Sequence, residues 1–109
     1  MRAVPAILLS DKDNVLTLLA PGSEGDCACT PDGGMRVLLL DEIPLYHKAA
    51  GSPIPKGGPV IKYGVVIGAA TEDILSGRWV HLHNMRSLVD EKSSDLDLHT
   101  GTDPSRQYA

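Results

Sequence analysis

Two histidines separated by one residue, His81 and His83, have the type and spacing that most directly suggest chemistry in this chain. On a strand, residues i and i+2 face the same side, so both imidazoles would point together while Leu82 faces the core. Two imidazoles at this spacing can share one divalent metal ion. Taken alone, the triplet is more simply interpreted as two surface histidines on an edge strand. Asn84 then places an amide at the strand end, where it can contact a ligand or serve as a turn residue.

His47 and Lys48 form a second candidate pair. A histidine exchanges a proton near neutral pH, and a lysine can hold a carboxylate or stabilise the charge of an enolate. By composition alone, a solvated pair in a loop is the simpler interpretation. The pair precedes residues 51–59, which are rich in glycine and proline and lead into apolar strands. We therefore expect a shaped loop with His47 and Lys48 at its mouth.

The other polar residues are interpreted as structural. Lys62 alternates with the apolar Ile61 and is expected to face solvent, and Tyr63 is expected to pack its ring. Trp79 is interpreted as a structural residue. Carboxylates such as Asp13 lie in turns, where capping of the backbone is the default role. The sequence shows no phosphate-binding loop and no nucleophile motif.

The elements that must position these residues are short apolar runs separated by turn formers, which predict a mostly β fold with little helix. The expected strands cover residues 6–9, 15–19, 26–30, 35–40, 60–63, 65–70 and 79–82. The run 15–19 also fits the start of a short helix. Residues 31–34 predict a hairpin turn between two of the strands. Residues 1–5 are expected to be a loose lead-in, and residues 71–75 are the best candidate for a turn of helix.

A short internal repeat relates residues 54–60 to residues 74–80. Both segments read Ile, two residues, Gly, two residues, Val. Each glycine can close a tight turn that launches a strand, which predicts a quasi-repeated β architecture. Gly64 and Gly68 indicate a bend or a close approach of two backbones.

Composition limits the fold and the partners of the chain. Its 109 residues correspond to one domain, and 42% apolar residues with no Phe predict an aliphatic core. Such a core is small for an enzyme that builds a closed pocket alone, which suggests that a partner chain supplies part of any site. The formal net charge of -4 and the scattered Lys and Arg argue against nucleic-acid binding.

The expected compartment is the cytoplasm, without membrane contact. No apolar run approaches the ~20 residues needed to span a bilayer, and no signal peptide is evident. Cys27 and Cys29 supply only half a zinc site, and a disulfide between them would close a strained ring. Free thiols in a reducing compartment are therefore expected. After a domain spanning residues 1–86, residues 87–109 are polar and acid-rich and predict a flexible tail.

Residues 47–84 together resemble the SAF domain of the altronate dehydratase family, which includes altronate and galactarate dehydratases and sulfolactate sulfo-lyases. The resemblance is carried by His47-Lys48, Ile54, Lys56-Gly57, Pro59 to Gly64, Ile67-Gly68, Ala70, Ile74, Gly77 and Val80 to Asn84. It is weaker over residues 13–40 and ends after Arg86. Tyr46 stands where the family has glycine, a residue that can supply a positive φ.

The resemblance implies a small β-clip-like domain with bent strands, either the N-terminal part of a large dehydratase or a separate small subunit. Because the chain stops soon after the domain, we expect a small subunit with a larger catalytic subunit as its partner. Family enzymes eliminate water, or sulfite in the sulfo-lyases, from a 2-hydroxy acid. The dehydratases use a divalent metal such as Fe2+ or Mn2+.

Residue roles follow from the same resemblance. His47 and Lys48 match the family's Gly-His-Lys motif, and His81, His83 and Asn84 match its His-x-His-Asn motif. This implies catalytic roles for His47 and Lys48, metal binding by His81 and His83, and substrate binding by Asn84 and Lys48.

Three functions remain open from the sequence. The first is the small subunit of a hydro-lyase that dehydrates an altronate-type sugar acid. The second is an alpha-type small subunit of a sulfolactate sulfo-lyase, which releases sulfite. The third is a non-catalytic SAF binding module, because fold alone does not fix function.

Overall fold

The computed structural model of the chain describes residues 1–88 and confirms the mostly β fold class. Residues 1–87 form nine strands and no helix. The strands are β1 (Ala3–Ile7), β2 (Val15–Leu18), β3 (Cys27–Cys29), β4 (Arg36–Leu38), β5 (Lys48–Ala50), β6 (Pro59–Lys62), β7 (Val65–Ala70), β8 (Trp79–Val80) and β9 (Met85–Ser87). None of the described residues forms a helix that is long and apolar enough to cross a membrane. From residue 89 onward, the predicted tail lies outside the described residues.

The strands form two sheets. The larger has six strands in the order β4-β3-β1-β2-β5-β8, and the smaller has three in the order β6-β7-β9. The predicted hairpin around residues 31–34 is confirmed, because β3 and β4 pair antiparallel on either side of it. Residues 71–75, the candidate turn of helix, instead contain Ile74 in a β-bridge with Ile54.

The prediction of a loose lead-in at residues 1–5 is wrong. β1 lies inside the larger sheet, pairing parallel with β3 and antiparallel with β2. Arg2 fixes its start, since the guanidinium lies 2.9 Å from the Asp26 carboxylate and the Arg2 carbonyl accepts a hydrogen bond from Cys27 N. These partners are about 25 residues away in sequence, so a window of a few residues does not reveal them.

Two aliphatic clusters make up the core, and β2 and β5 contribute to both. The first cluster contains Val4, Ala6, Leu16, Leu18, Ala28, Val37, Leu39, Ile43 and Ala49. The second contains Val15, Ala50, Ile54, Val60, Ala70, Ile74, Val80 and Met85. Ala49 and Ala50 are both fully buried on opposite faces of β5. This explains why the strand was not predicted, since alanine is depleted in strands but fits between two packed layers.

One turn geometry occurs four times and confirms the predicted repeat. Each copy closes with a backbone hydrogen bond from residue i+3 to residue i, in Asp26 to Ser23, His47 to Pro44, Gly58 to Pro55 and Arg78 to Leu75. Each also has a positive φ at its third residue, at Gly25 (93°), Tyr46 (68°), Gly57 (84°) and Gly77 (92°). The copies are joined in pairs by the bridges Gly22 to Ile43 and Ile54 to Ile74. The sequence pattern revealed two of the four copies, because Tyr46 replaces glycine in another.

We expect Tyr46→Gly to stabilise the fold by about 0.5–1 kcal/mol. A non-glycine residue with left-handed backbone costs about 1–2 kcal/mol, whereas the extra chain entropy of glycine costs about 0.5–1 kcal/mol. Urea unfolding of both proteins measures the difference. Tyr46→Ala is the matched control, because it removes the ring but keeps the strained Cβ. Equal stability of the glycine and alanine variants would contradict the strain argument.

The hairpin joining β6 and β7 is a two-residue turn at Tyr63 and Gly64, with φ of 60° and 72°. Positive φ at both central residues is the type I′ geometry that suits a twisted hairpin. The Asp13 carboxylate accepts hydrogen bonds from the amides of Tyr63 (3.1 Å) and Gly64 (2.8 Å), so its predicted capping role is confirmed. The Tyr63 side chain is 65% exposed, which corrects the prediction that its ring packs.

Asn14 and Gly68 hold the smaller sheet in place. The Asn14 amide accepts a hydrogen bond from Ile61 N and donates one to the Pro59 carbonyl, both at 2.8 Å. It therefore ties β6 to the start of β2. The predicted close approach at Gly68 is confirmed, because a Cβ there would lie 2.6 Å from the Arg86 carbonyl oxygen. The smaller sheet thus packs beside the end of the larger one that carries β5 and β8.

Candidate active site

Four aromatic rings converge where β5 and β8 meet. The strand register pairs Lys48 with Val80 and Ala49 with Trp79, which brings His47 beside His81. The ring centroids of His47 and His81 lie 4.8 Å apart. Trp79 stacks on His81 at 5.6 Å with an interplanar angle of 7°, and it contacts the ring of His83 at 5.1 Å. We call His47, Trp79, His81 and His83 the ring cluster.

The backbone carrying His81 and His83 is a turn, which corrects the predicted strand. β8 ends at Val80, and residues 81–84 close a turn through a 3.1 Å hydrogen bond from Asn84 N to the His81 carbonyl. Leu82 is 53% exposed, so the prediction that it faces the core is wrong. Strand alternation does not apply beyond Val80, because pairing with β5 ends there. Each of the two imidazoles contacts the indole ring of Trp79.

Asn84 holds this turn from within. It is only 4% exposed, and its side-chain oxygen accepts a hydrogen bond from His81 N at 3.0 Å. Its side-chain nitrogen donates to the Trp79 carbonyl at 2.9 Å. Its backbone carbonyl accepts from Thr71 N, which links the turn to the end of β7. The geometry gives Asn84 a positioning role, and its substrate contact rests on the resemblance.

A hydrogen bond from Trp79 sets the tautomer of His47. The indole Nε1–H lies 3.1 Å from His47 Nδ1. An indole nitrogen can only donate, so Nδ1 must be the acceptor and the neutral ring carries its proton on Nε2. His47 can accept a proton on Nδ1 only if it gives up the Trp79 bond. In this state its chemistry is that of a neutral hydrogen-bond donor.

The electrostatic environment also keeps His47 neutral. Burial lowers the pKa of His47 below its usual value, and the positive charges of Lys48 and Lys62 lower it further. Lys62, which was expected to face solvent, is half-buried. Two ammonium groups near a neutral imidazole suit an anionic ligand such as a carboxylate.

Lys48 lies within the larger sheet and is only 6% exposed. It is the first residue of β5, between Thr17 of β2 and Val80 of β8. Because side chains alternate along a strand, it faces the same side as Ala50, in the second core cluster. His47 lies on the other side, with Trp79. Lys48 and His47 therefore lie on opposite faces of the sheet at the start of β5. A ligand that contacts both residues must lie over that end of the strand.

The described part of the chain does not complete a metal site. No group of three or more His, Cys, Asp and Glu side chains within residues 1–88 is arranged to hold a metal ion. Imidazoles are suitable donors for a divalent transition metal, and His81 and His83 both lie against Trp79. These two residues fit at most part of a coordination shell.

A cavity beside the ring cluster has a volume of about 380 Å³ and is lined by Trp79 together with Arg2, Glu42 and Pro44. The three histidines do not line it. His83 is exposed, His47 and His81 are half-buried, and Tyr46 and Leu82 beside them are exposed. The ring cluster is therefore an open face rather than an enclosed pocket.

Sequence reasoning identified the three histidines and Lys48 but missed Trp79 and Lys62. Trp79 lies two residues before His81, and it pairs with Ala49 on β5. The alternation rule that grouped the two histidines would also have placed Trp79 on their side. Lys62 gave no comparable signal, because the register of β6 shifts between Val60 and Ile61 and breaks the alternation.

A fall in pH is expected to destabilise the protein partly through His47. Because its folded-state pKa is lowered, the unfolded chain binds the proton first as pH falls below about 6.5. The stabilisation is fully present above that pH and is lost as pH falls through the folded-state pKa. We expect the free energy of unfolding to fall less between pH 7 and pH 5 in His47→Gln than in the original chain. Equal losses in urea unfolding would contradict this assignment.

Comparisons with known proteins identify the family. Residues 4–88 match the family described as the altronate/galactarate dehydratase SAF domain. The chain is 41% identical over 85 residues to an altronate dehydratase of Escherichia coli (strain K12), an alignment that covers 78% of this chain and 16% of that protein. It is 36% identical over 74 residues to a galactarate dehydratase of the same strain, covering 68% of this chain and 14% of that protein.

A shorter relative is the alpha subunit of (2R)-sulfolactate sulfo-lyase from Chromohalobacter salexigens. The identity is 40% over 56 residues, which covers 51% of this chain and 60% of that subunit. The aligned part of the chain thus spans less than a fifth of the length of each dehydratase that it matches. With the family match extending over residues 4–88, the chain belongs to the SAF domain family of the altronate and galactarate dehydratases.

Proposed function

We propose that this SAF domain supplies His47 and Lys48 to the active site of a hydro-lyase that dehydrates an altronate-type sugar acid. The observation that carries the proposal is the state of His47, a neutral ring whose tautomer is set by Trp79 and which lies near two lysines. A neutral donor beside positive charge suits a reaction in which an anionic substrate gains charge on oxygen.

Lys48 and Lys62 account for binding of the substrate. A 2-hydroxy acid carries a carboxylate, and the positive charge that lowers the pKa of His47 also attracts that group. Lys48 is only 6% exposed, so its side chain has little freedom to follow a moving ligand. We assign it to the substrate carboxylate, where it offsets the charge that grows as the neighbouring proton leaves.

His47 is assigned to an oxygen at which negative charge develops. Its Nε2–H can donate to the departing hydroxyl or to the enolate oxygen without disturbing the Trp79 bond. Removal of the proton next to the carboxylate would require a free lone pair on His47, which the indole N–H occupies at Nδ1. The geometry therefore favours the donor role, and the base is assigned to the larger polypeptide.

His81 and His83 would hold part of a divalent metal site, with iron or manganese as the expected ion. When bound, such an ion supplies Lewis-acid polarisation of the carboxylate or hydroxyl. Asn84 orients this segment, because it bonds both the His81 amide and the Trp79 carbonyl. The open face of the ring cluster is consistent with the remaining ligands lying in another part of the enzyme.

The same face supports a larger partner. Tyr46, Tyr63 and Leu82 have exposed apolar side chains, and Tyr46 and Leu82 directly adjoin His47 and His81 in sequence. Exposed apolar groups rimmed by polar ones are typical of interaction sites. We propose that a larger catalytic subunit covers the ring cluster and completes the site.

A sulfo-lyase is the second candidate. It is favoured by the match to a relative named as a subunit alpha, of which the alignment covers 60%. The leaving group would then be sulfite, and the carboxylate and donor contacts would be unchanged. Assaying the assembled enzyme with altronate, galactarate and sulfolactate separates the two. A 2-keto sugar acid without sulfite supports the dehydratase, sulfite release supports the sulfo-lyase, and no turnover of any acid supports a non-catalytic SAF module.

Replacing His83 with alanine tests the metal assignment. We expect at least about a tenfold loss of metal affinity together with loss of turnover in the assembled enzyme, because one ligand of the site is removed. Metal content after dialysis and the rate measured in parallel give the two readouts. Leu75→Ala, which alters an exposed side chain outside the ring cluster and its turn, is the control and should retain both. Unchanged metal content in His83→Ala would show that the ligand assignment is wrong.

A further inference from the structure

Cys27 and Cys29 form a thiol pair on the outer face of the larger sheet. Between them, Ala28 is fully buried in the first core cluster, so the two cysteines point away from the core. Both are free and half-buried, and their Sγ atoms lie 3.4 Å apart. They are the only two cysteines of the chain, and the proposed function does not use them.

The spacing of the pair is fixed by the sheet. β3 is hydrogen-bonded on both sides, to β1 and to β4, with three register pairs on each side. On the outer face, Cys27 adjoins Ala3 of β1 and Cys29 adjoins Pro5. Ala3 and Pro5 are small and exposed, so they leave the sulfur atoms accessible from that side.

The distance between the sulfur atoms fits a metal chelate better than a disulfide. Two thiolates on a tetrahedral zinc ion, each with a Zn–S bond of about 2.3 Å, lie about 3.8 Å apart. The observed 3.4 Å differs from that span by only a few tenths of an ångström. A disulfide bond is about 2.05 Å long, so the sulfurs would have to close by more than about 1 Å within a paired strand.

We propose that Cys27 and Cys29 bind one thiophilic divalent metal ion, of the zinc and cadmium class, as a two-thiolate chelate. Two sulfur–metal bonds form, two thiol protons pass to solvent, and no oxidant is needed. Water fills the remaining positions, since no third His, Cys, Asp or Glu within residues 1–88 joins the pair. The site is separate from the ring cluster, because β1 and β2 lie between β3 and β5 and space them by roughly 14 Å.

Protons compete with the metal ion for the two sulfur atoms, so metal binding depends on pH. The hydrogen bond with Cys27 raises the pKa of the Cys29 thiol, burial raises it further, and Arg36 on β4 opposes the shift. Arg36 lies on β4 directly opposite Cys29 in the strand register and is the charged residue beside that thiol. Because both protons must leave, affinity should rise with pH across the neutral range.

Titration of the full reduced chain with Cd2+ tests the proposal. We expect thiolate-to-metal charge-transfer absorption that saturates at one ion per chain and strengthens from pH 6 to pH 8. Cys27→Ser and Cys29→Ser should each weaken Cd2+ binding at least tenfold, because each leaves a single thiolate. His83→Ala should retain the absorption, which separates this site from the ring cluster.

Three results would overturn the proposal. One is the absence of charge-transfer absorption in the reduced chain, and another is saturation at one ion per two chains. The third is rapid oxidation of the pair by glutathione disulfide, seen as a mass loss of two hydrogen atoms per chain as two glutathione molecules form, with no Cd2+ binding before oxidation. That result would make the pair a disulfide switch. Circular dichroism of both serine variants checks that the sheet is intact.

Discussion

Replacing His47 with phenylalanine is expected to lower turnover of the assembled enzyme by about 100- to 1,000-fold, the usual effect of removing one donor to a developing oxyanion. Phenylalanine keeps a ring against Trp79 and His81 but has no nitrogen. The ring contacts at 5.5 Å and 4.8 Å can therefore survive while the Nε2–H is lost. Steady-state kinetics with saturating substrate and metal measure the effect.

His47→Gln is the matched variant that separates the two possible roles of this residue. A glutamine amide can accept the Trp79 N–H and donate outward, but it cannot take up a proton. If His47 is a donor, we expect glutamine to retain at least about ten times the turnover of phenylalanine. Equally inactive phenylalanine and glutamine variants would instead identify His47 as a base and would contradict the donor role.

Trp79→Phe tests whether the indole acts through His47. Without the N–H, the neutral form of His47 loses a stabilising partner, so the pKa of His47 should rise from its lowered position. The imidazole resonances of His47 should then titrate at a higher pH than in the original chain, and because phenylalanine keeps a ring against His47, the shift reports the lost hydrogen bond rather than lost burial. Trp79 is a positioning residue in this account.

Replacing Asn84 with alanine is expected to destabilise the fold by about 2–4 kcal/mol. The change removes the two part-buried side-chain hydrogen bonds to the His81 amide and the Trp79 carbonyl, and a buried polar group that loses its partner costs about 1–3 kcal/mol. Asn84→Asp should also be destabilising at neutral pH, because it sets a carboxylate oxygen against the Trp79 carbonyl. Urea unfolding measures both variants.

The control for Asn84 is Leu82→Ala, an exposed side chain in the same turn. It should change stability by less than about 0.5 kcal/mol. The Asn84 variants should also displace the imidazole resonances of His81 and His83, because the turn that orients them is lost. An Asn84→Ala protein as stable as Leu82→Ala would contradict the positioning role.

The sequence predicted the fold class because the apolar runs are short and are divided by turn formers. It placed the first strand at residues 6–9 instead of Ala3–Ile7 and did not predict β5, for two different reasons. β1 depends on pairing with β3, a contact distant in sequence. β5 contains two alanines, whose small size suits a strand buried on both faces but whose type does not favour a strand.

The candidate site was predicted in part, for equally specific reasons. Grouping His81 with His83 was useful, but the rule behind it applied to a strand that ends at Val80. What the two rings share is contact with Trp79, which is held in place by pairing with Ala49. Tyr46 stands where the family has glycine, and the structure shows that it adopts a positive φ of 68°.

Affinity purification of the tagged chain from its native cell extract, followed by assay of the eluate, tests the central claim most directly. We predict that the eluate contains a larger chain and bound iron or manganese. We also predict that it releases water from a sugar acid and that His47→Phe suppresses this activity. Mass spectrometry, metal analysis and product analysis supply the three readouts. A chain that elutes alone, without metal and without activity toward any of the acids, would contradict the claim that this SAF domain completes a lyase active site.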